Sequence, residues 1–161
     1  MSTTTRAGNG QFVSVDDKKW RKLIADIAGI DKRIAKVGVM SSETTPDGLS
    51  LVELAAIHEF GTDTLPERSF IRSTFERESV ALGRICERAA KAIVTKDMPV
   101  DQALELIGTW GAAQVKRSIT AGLIEPPDAP ATIARKGSSK VLVDTGQLVN
   151  AITYVVGDRE P

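Results

Sequence analysis

A chain of 161 residues, 42% hydrophobic and 26% charged, has the length and composition of one ordered domain, and its 4% aromatic content leaves the core to Val, Ile, Leu and Ala. Lys plus Arg equals Asp plus Glu at 21 each, so the net charge is zero; this argues against tight nonspecific nucleic-acid binding and removes long-range repulsion between copies. The lone Cys86 excludes an internal disulfide, no apolar run reaches the roughly 18 residues of a membrane span, and the polar start lacks a signal-peptide core, so synthesis in a reducing cytoplasm is expected.

Residues 1–13 are rich in Ser, Thr, Gly and Asn and are expected to be a flexible arm ahead of a single structural domain over 14–161. Trp20, Leu23, Ile24 and Ile27 recur at helical spacing, Ser14, Asp16 and Asp17 offer caps, and Gly29 offers a stop, which predicts a helix over 16–28. Ala35, Val37 and Val39 alternate with Lys36 and Gly38, which predicts a strand over 33–40 with one buried face. A turn over 44–48 follows. Leu51, Leu54, Ala55 and His58 then mark a short helix that Gly61 ends.

After a loop containing Pro66, Phe75, Leu82, Cys86, Ala89 and Ile93 form the stripe of a long helix over 69–95. Residues 96–99 break it. A second long helix is predicted over 100–121, with the stripe Leu104, Ile107, Gly111, Val115 and Ile119. Gly108, Gly111 and Ala112 thin its middle. A helical glycine costs up to about 1 kcal/mol against alanine, so a close neighbour should compensate; helix 69–95 or a second subunit is the expected one. Trp110 lies off the stripe, where it would cover an edge or meet a partner.

Gly122 ends this helix. The stretch 123–140 holds Pro126, Pro127, Pro130 and Gly137 with the basic residues Arg135, Lys136 and Lys140, and reads as a long loop in which Thr132 can cap one helical turn. Its cations suit a solvated loop, or contact with a partner protein or with phosphate. Residues 140–143 look like a short strand, Asp144 or Thr145 can cap a turn over 146–150, and 151–156 alternate as a closing strand. The predicted fold is α+β: a small antiparallel or mixed sheet of three to four strands packed by two long helices, with an N-terminal helix and a long loop in the C-terminal half. A free sheet edge is a liability that a neighbour's strand would cover in an assembly.

Residues that could do chemistry are sparse. His58 is the only histidine, and Glu59 beside it points elsewhere on a helix. The metalloprotease pattern needs a second histidine where this chain has Thr62. Cys86 sits on a predicted apolar stripe, where cysteine packs as a small hydrophobe. The phosphate-cradling Gly-x-x-x-x-Gly-Lys-Ser/Thr and the Gly-x-Ser-x-Gly elbow do not occur. Asp17-Lys18-Lys19 has the acid-x-lysine spacing of some nuclease sites, but at a helix start it reads as capping and solvation.

Two stretches are more specific. The first runs Ala55-Ala56-Ile57-His58-Glu59-Phe60-Gly61, then Leu65-Pro66-Glu67-Arg68-Ser69-Phe70-Ile71-Arg72. The second holds Pro126-Pro127 and Pro130-Ala131-Thr132 and reaches Leu142-Val143-Asp144-Thr145-Gly146-Gln147-Leu148. Their order and spacing resemble the virion-morphogenesis proteins of tailed bacteriophages, which include neck, tail-completion and related tail-component proteins. In that family a Glu-Phe-Gly is followed by a proline, an arginine and a phenylalanine. The family commonly has proline where this chain has Ser69. The likeness spans roughly residues 50–156. It marks His58, Glu59, Phe60, Gly61, Pro66, Arg68, Phe70, Arg72, Pro126, Pro127, Thr132, Lys136, Asp144, Thr145, Gly146 and Leu148 as assembly candidates.

Physically, Phe60 is expected to bury at the helix end and Gly61 to turn the chain without a Cβ. Pro66 would stiffen the loop, Arg68 would bond carbonyls or carboxylates as a planar fork, and Phe70 and Ile71 would anchor the next helix. Core architecture and direct subunit contact are both compatible with this.

The resemblance implies a non-enzymatic virion protein with no cofactor and no metal, assembled in the host cytoplasm without a membrane. It implies a closed ring, six-fold, at the head–tail junction or the top of the tail. One face would dock a head-completion or connector protein and the other a tail-tube or tail-terminator protein, with double-stranded DNA passing through the lumen unread. The alternatives are a tail terminator or tail-tube-like protein that caps polymerisation, and a phage-encoded regulatory binding protein.

Overall fold

The computed structural model describes residues 3–6, 12–15, 17–45, 48–96, 98–127 and 146–160. Within and just beyond the stretch expected as an arm, strands β1 (Thr3–Arg6) and β2 (Phe12–Val15) pair antiparallel with each other, Thr3 opposite Val15 and Arg6 opposite Phe12. Helix α1 (Asp17–Ile30) follows and runs two residues past the expected end at 28. Lys32 N donates to Gly29 O at 3.2 Å, and the chain enters β3 (Arg33–Val39).

After β3 come α2 (Leu51–Phe60), α3 (Arg72–Arg77), α4 (Ser79–Lys96), α5 (Val100–Thr120), α6 (Gln147–Ala151) and β4 (Ile152–Asp158). The molecule is α+β. Strands β3 and β4, far apart in sequence, pair antiparallel over their full length, with Val39 opposite Ile152 and Arg33 opposite Asp158. The described residues hold two separate two-stranded sheets rather than one of three or four strands, and the strand predicted over 140–143 lies outside them.

A two-stranded ribbon is marginal alone and needs a helix against one face. Here α5 supplies it. The alternation of β3 and β4 puts Ala35, Val37 and Val39 beside Val156, Tyr154 and Ile152 on one face. The thin middle of α5 lies against that face. A Cβ on Gly108 would stand 2.7 Å from Tyr154 Cγ, and one on Gly111 would stand 3.1 Å from both Val37 Cγ2 and Phe75 Cζ. The close neighbour is the sheet at Gly108, and at Gly111 it is the sheet together with Phe75 from the first part of the stretch expected as helix 69–95. Its payoff is a core of Ala55, Phe70, Ala112, Val115, Ile119, Ile124, Leu148 and Ile152. A second, smaller core of Ala89, Ile93 and Ala103 joins α4 to α5.

The helix expected over 69–95 is broken. Its first part starts at Arg72, and Glu78 (φ −93°, ψ 12°) separates α3 from α4. Thr74 Oγ1 donates back to Phe70 O at 2.6 Å, a bond that tends to bend helices, and Arg77 Nη2 reaches across to Ser118 Oγ on α5 at 2.6 Å. Past the break the buried line of α4 runs through Ala89 and Ile93, and Cys86 is exposed rather than packed.

Arg33 ties the open end of the ribbon to α5. Its Nε and Nη2 donate to Asp101 Oδ1 and Oδ2 and its Nη1 to Asp158 Oδ1, all at 2.8 Å. The hydrogen bonds to Asp101 and then to Asp158 raise its pKa above the ordinary arginine value. No helix of the described residues is long and apolar enough to cross a membrane.

Candidate functional site

The Ala55–Arg72 stretch and the Pro126-Pro127 pair, far apart in sequence, form one junction. It begins with α2. Ser50 caps this helix with a complete capping box: its hydroxyl accepts from Glu53 N, and the Glu53 carboxylate accepts from Ser50 N, both at 3.1 Å. The Ser50-x-x-Glu53 spacing was a usable signal for the helix start. Leu51, Ala55 and Glu59, four apart, form the buried face.

Glu59 is the centre of the site. Its Oε2 accepts from Phe70 N at 2.8 Å and Ile71 N at 2.9 Å. Its Oε1 accepts from Arg72 N at 3.0 Å and Ser69 Oγ at 2.8 Å. A carboxylate from one helix thus caps the start of the next, satisfying amides that a helix leaves without partners and meeting the positive end of its dipole. Ser69 supplies the fourth donor through its hydroxyl. That oxygen also accepts from Ser73 N at 3.3 Å. Sequence reading passed over both roles; an acid on a buried helical stripe, eleven residues before an aromatic helix start, was the only trace of them.

Gly61 makes the geometry possible. Its φ of 72° with ψ of −179° is a conformation that essentially only glycine adopts. A Cβ there would stand 2.8 Å from Glu67 N and 3.0 Å from Leu65 O. The loop that follows closes on itself through Thr62 N to Leu65 O at 2.9 Å, with Pro66 exposed at its edge. It returns so that Arg68 N donates to His58 O at 2.8 Å. His58 is half-buried and enters the junction through this backbone bond.

Arg68 is buried. Its Nε donates to Pro126 O at 3.0 Å and its Nη2 to Pro127 O at 3.4 Å, which fits the planar fork expected of it. Arg72 is exposed and ion-pairs with Glu67. Phe70 is fully buried and shares a core with Leu148 of α6, whose preceding Gly146 takes a left-handed φ of 77°. Phe60 does not bury at the helix end: it is 72% exposed, one step round α2 from the buried Glu59. Thr132, Lys136, Asp144 and Thr145 lie outside the described residues, as does most of the basic loop.

Each Glu59 oxygen already accepts two bonds, and the Arg68 donors named above face carbonyls. The junction as built fixes backbone. An open depression of about 380 Å³ lies beside it, between Glu67, Ser73, Arg77 and Glu125. Among the described residues no group of three or more His, Cys, Asp or Glu could hold a metal ion. No family model matches the chain, and no curated protein or solved structure is significantly similar to it.

Proposed function

We propose that this chain is a non-enzymatic structural protein of a tailed bacteriophage, building a ring at the head–tail junction or the top of the tail. The observation that carries this reading is the spending of signature residues on architecture. Glu59 takes four donors, Gly61 holds a glycine-only turn, and Arg68 pins the Pro126-Pro127 segment. The sequence pattern that resembles virion-morphogenesis proteins is thereby a scaffold, which suits a protein that works through its shape.

Two further features favour assembly. Among the described residues β3 and β4 each pair on one side only. The three- to four-stranded sheet expected from the sequence would be completed across the subunit boundary, a neighbour's strand covering a free edge. Large apolar side chains also stand exposed on α1 and α2. Contacts between unlike surfaces make a ring when the rotation closes, and six-fold closure is the state proposed here. One ring face would meet a connector or head-completion protein and the other a tail-tube or terminator protein, with duplex DNA in the lumen. Electron microscopy of particles from the encoding phage tests this, with ring density at the neck or tail top expected. Purified particles that lack the protein, together with normal particles from its deletion, would refute it.

A further inference from the structure

Two exposed apolar stripes on this chain carry opposite charge. On α1, Trp20 is 57% exposed, and Ile24 and Ile27 stand exposed with it at helical spacing. On α2, Val52, Ala56 and Phe60 lie four apart and are exposed, on the side next to the buried stripe that Glu59 belongs to. Among the described residues neither stripe has a partner that covers it.

The charges are segregated along the chain in the same way. Residues 18–36 contain seven Lys or Arg against Asp26 and Asp31, and Lys18 and Arg21 are exposed beside Trp20. Residues 41–67 contain six Asp or Glu and no Lys or Arg, and Glu43, Glu53 and Asp63 are exposed around the α2 stripe. Cations thus outnumber anions round the α1 stripe and anions alone flank the α2 stripe, with Lys22 paired to Asp26, Arg33 to Asp101 and Asp158, and Glu67 to Arg72.

The two stripes do not cover each other within one copy: both stand exposed, and α1 packs against α4, α5 and β3.

We infer that the α1 stripe of one copy docks on the α2 stripe of a second copy of this chain, in a head-to-tail contact. The inference rests on the self-assembly proposed above and names the surfaces that make it. Apolar area at the centre and unlike charges at the rim give such a contact its affinity and its register. The two surfaces differ, so each copy keeps one free stripe and the contact propagates into a ring or filament instead of stopping at a symmetric dimer.

The test uses two full-length variants, Trp20→Asp and Phe60→Asp. Both side chains are exposed, so each variant should unfold in the same transition as the wild type. Analytical ultracentrifugation should show the wild type associating with concentration, and each variant alone weakened roughly 30-fold or more, as for an interface hot spot. Mixed one to one, the variants should form a dimer and stop there. Trp20→Asp contributes its intact α2 stripe and Phe60→Asp its intact α1 stripe. Raising the salt concentration should weaken this dimer.

A mixture that stays monomeric overturns the inference, as does a variant that still associates alone or a wild type that never associates. If the wild type associates while either variant also does, the ring survives with another interface. Particles lacking the protein, combined with a mixed dimer in solution, would defeat the virion reading and leave this contact standing. A wild type held by an acidic protein or anionic vesicles, without self-association, also overturns it.

Discussion

Replacing Glu59 tests whether the signature is a scaffold. The carboxylate receives three backbone amides and one hydroxyl at 2.8–3.0 Å, from a residue only 8% exposed. Hydrogen bonds to a charged group contribute about 1.5–3 kcal/mol each, and a buried amide left without a partner costs about 1–3 kcal/mol. In Glu59→Gln one oxygen can still serve Phe70 N and Ile71 N. The new amide then faces Arg72 N as donor against donor, while the Ser69 hydroxyl can rotate to accept. Losing one amide bond and the charge assistance on the other two should cost about 2–3 kcal/mol. Glu59→Ala removes all four partners and should cost about 4 kcal/mol or more, at the upper end of single substitutions. For a chain of this size 1 kcal/mol moves Tm by about 2–4 °C, so Glu59→Gln should lower it by roughly 5–10 °C. Urea unfolding followed by circular dichroism gives the free energies, and an unchanged m-value would show that the denatured state is not responsible. Glu53→Gln, at the exposed capping box, is the control and should cost no more than about 1 kcal/mol. A Glu59→Gln protein within about 0.5 kcal/mol of wild type would refute the reasoning, because it would mean water serves those amides equally well.

Four other outcomes follow from the same structure. Gly61→Ala forces a Cβ against Glu67 N in a glycine-only conformation and should cost about 3 kcal/mol by urea unfolding. Arg68→Ala should cost about 2 kcal/mol and Arg68→Lys roughly half that, since an ammonium can still reach one proline carbonyl; limited proteolysis should then cut near Pro126 faster. Gly108→Ala should destabilise by about 1–3 kcal/mol, and by less in a Tyr154→Ala background, where the ring it would strike is gone; additive costs in that double-mutant cycle would exclude the contact. Phe70→Ala should cost about 3–5 kcal/mol, whereas Phe60→Ala should change stability by less than about 0.5 kcal/mol.

The parts of the fold legible in the sequence are those set by local pattern. The alternation of Ala35, Val37 and Val39, the stripe of Val115 and Ile119, and the punctuation by Gly61 each follow from a period or a backbone requirement. The misreadings share a cause. Periodicity says that a face is apolar but not what covers it. Thus Gly108 and Gly111 announced a close approach, which Phe75 from the 69–95 stretch meets in part, while the rest of the partner was β4 and β3 from distant parts of the chain. Cys86 shares the unbroken α4 with Ala89 and Ile93, but the small core on that helix gathers round Ala89 and Ile93, and the cysteine stands exposed. The importance of Glu59 was legible as a motif but its task was not, because the donors lie at a helix start that only the folded loop brings near. Phe60 was misread because large aromatics usually bury.

That last error has a physical reading. Glu59 and Phe60 are adjacent, about 100° apart around α2, so on a helix with one buried side the carboxylate and the ring cannot both turn inward. Four donors decide which one does. Gly61 then ends the helix, and the loop is held back by the bond from Arg68 N to His58 O instead of folding over the ring. The bonds that secure the core therefore also hold Phe60 outward in a fixed direction. A flexible or weakly capped helix end would let an exposed aromatic collapse onto its own surface, whereas one locked by a carboxylate, a glycine and an arginine presents it with little ordering entropy left to lose on contact. In this chain the scaffold and the proposed docking surface are two faces of one helix, so weakening Glu59 should loosen self-association as well as the fold.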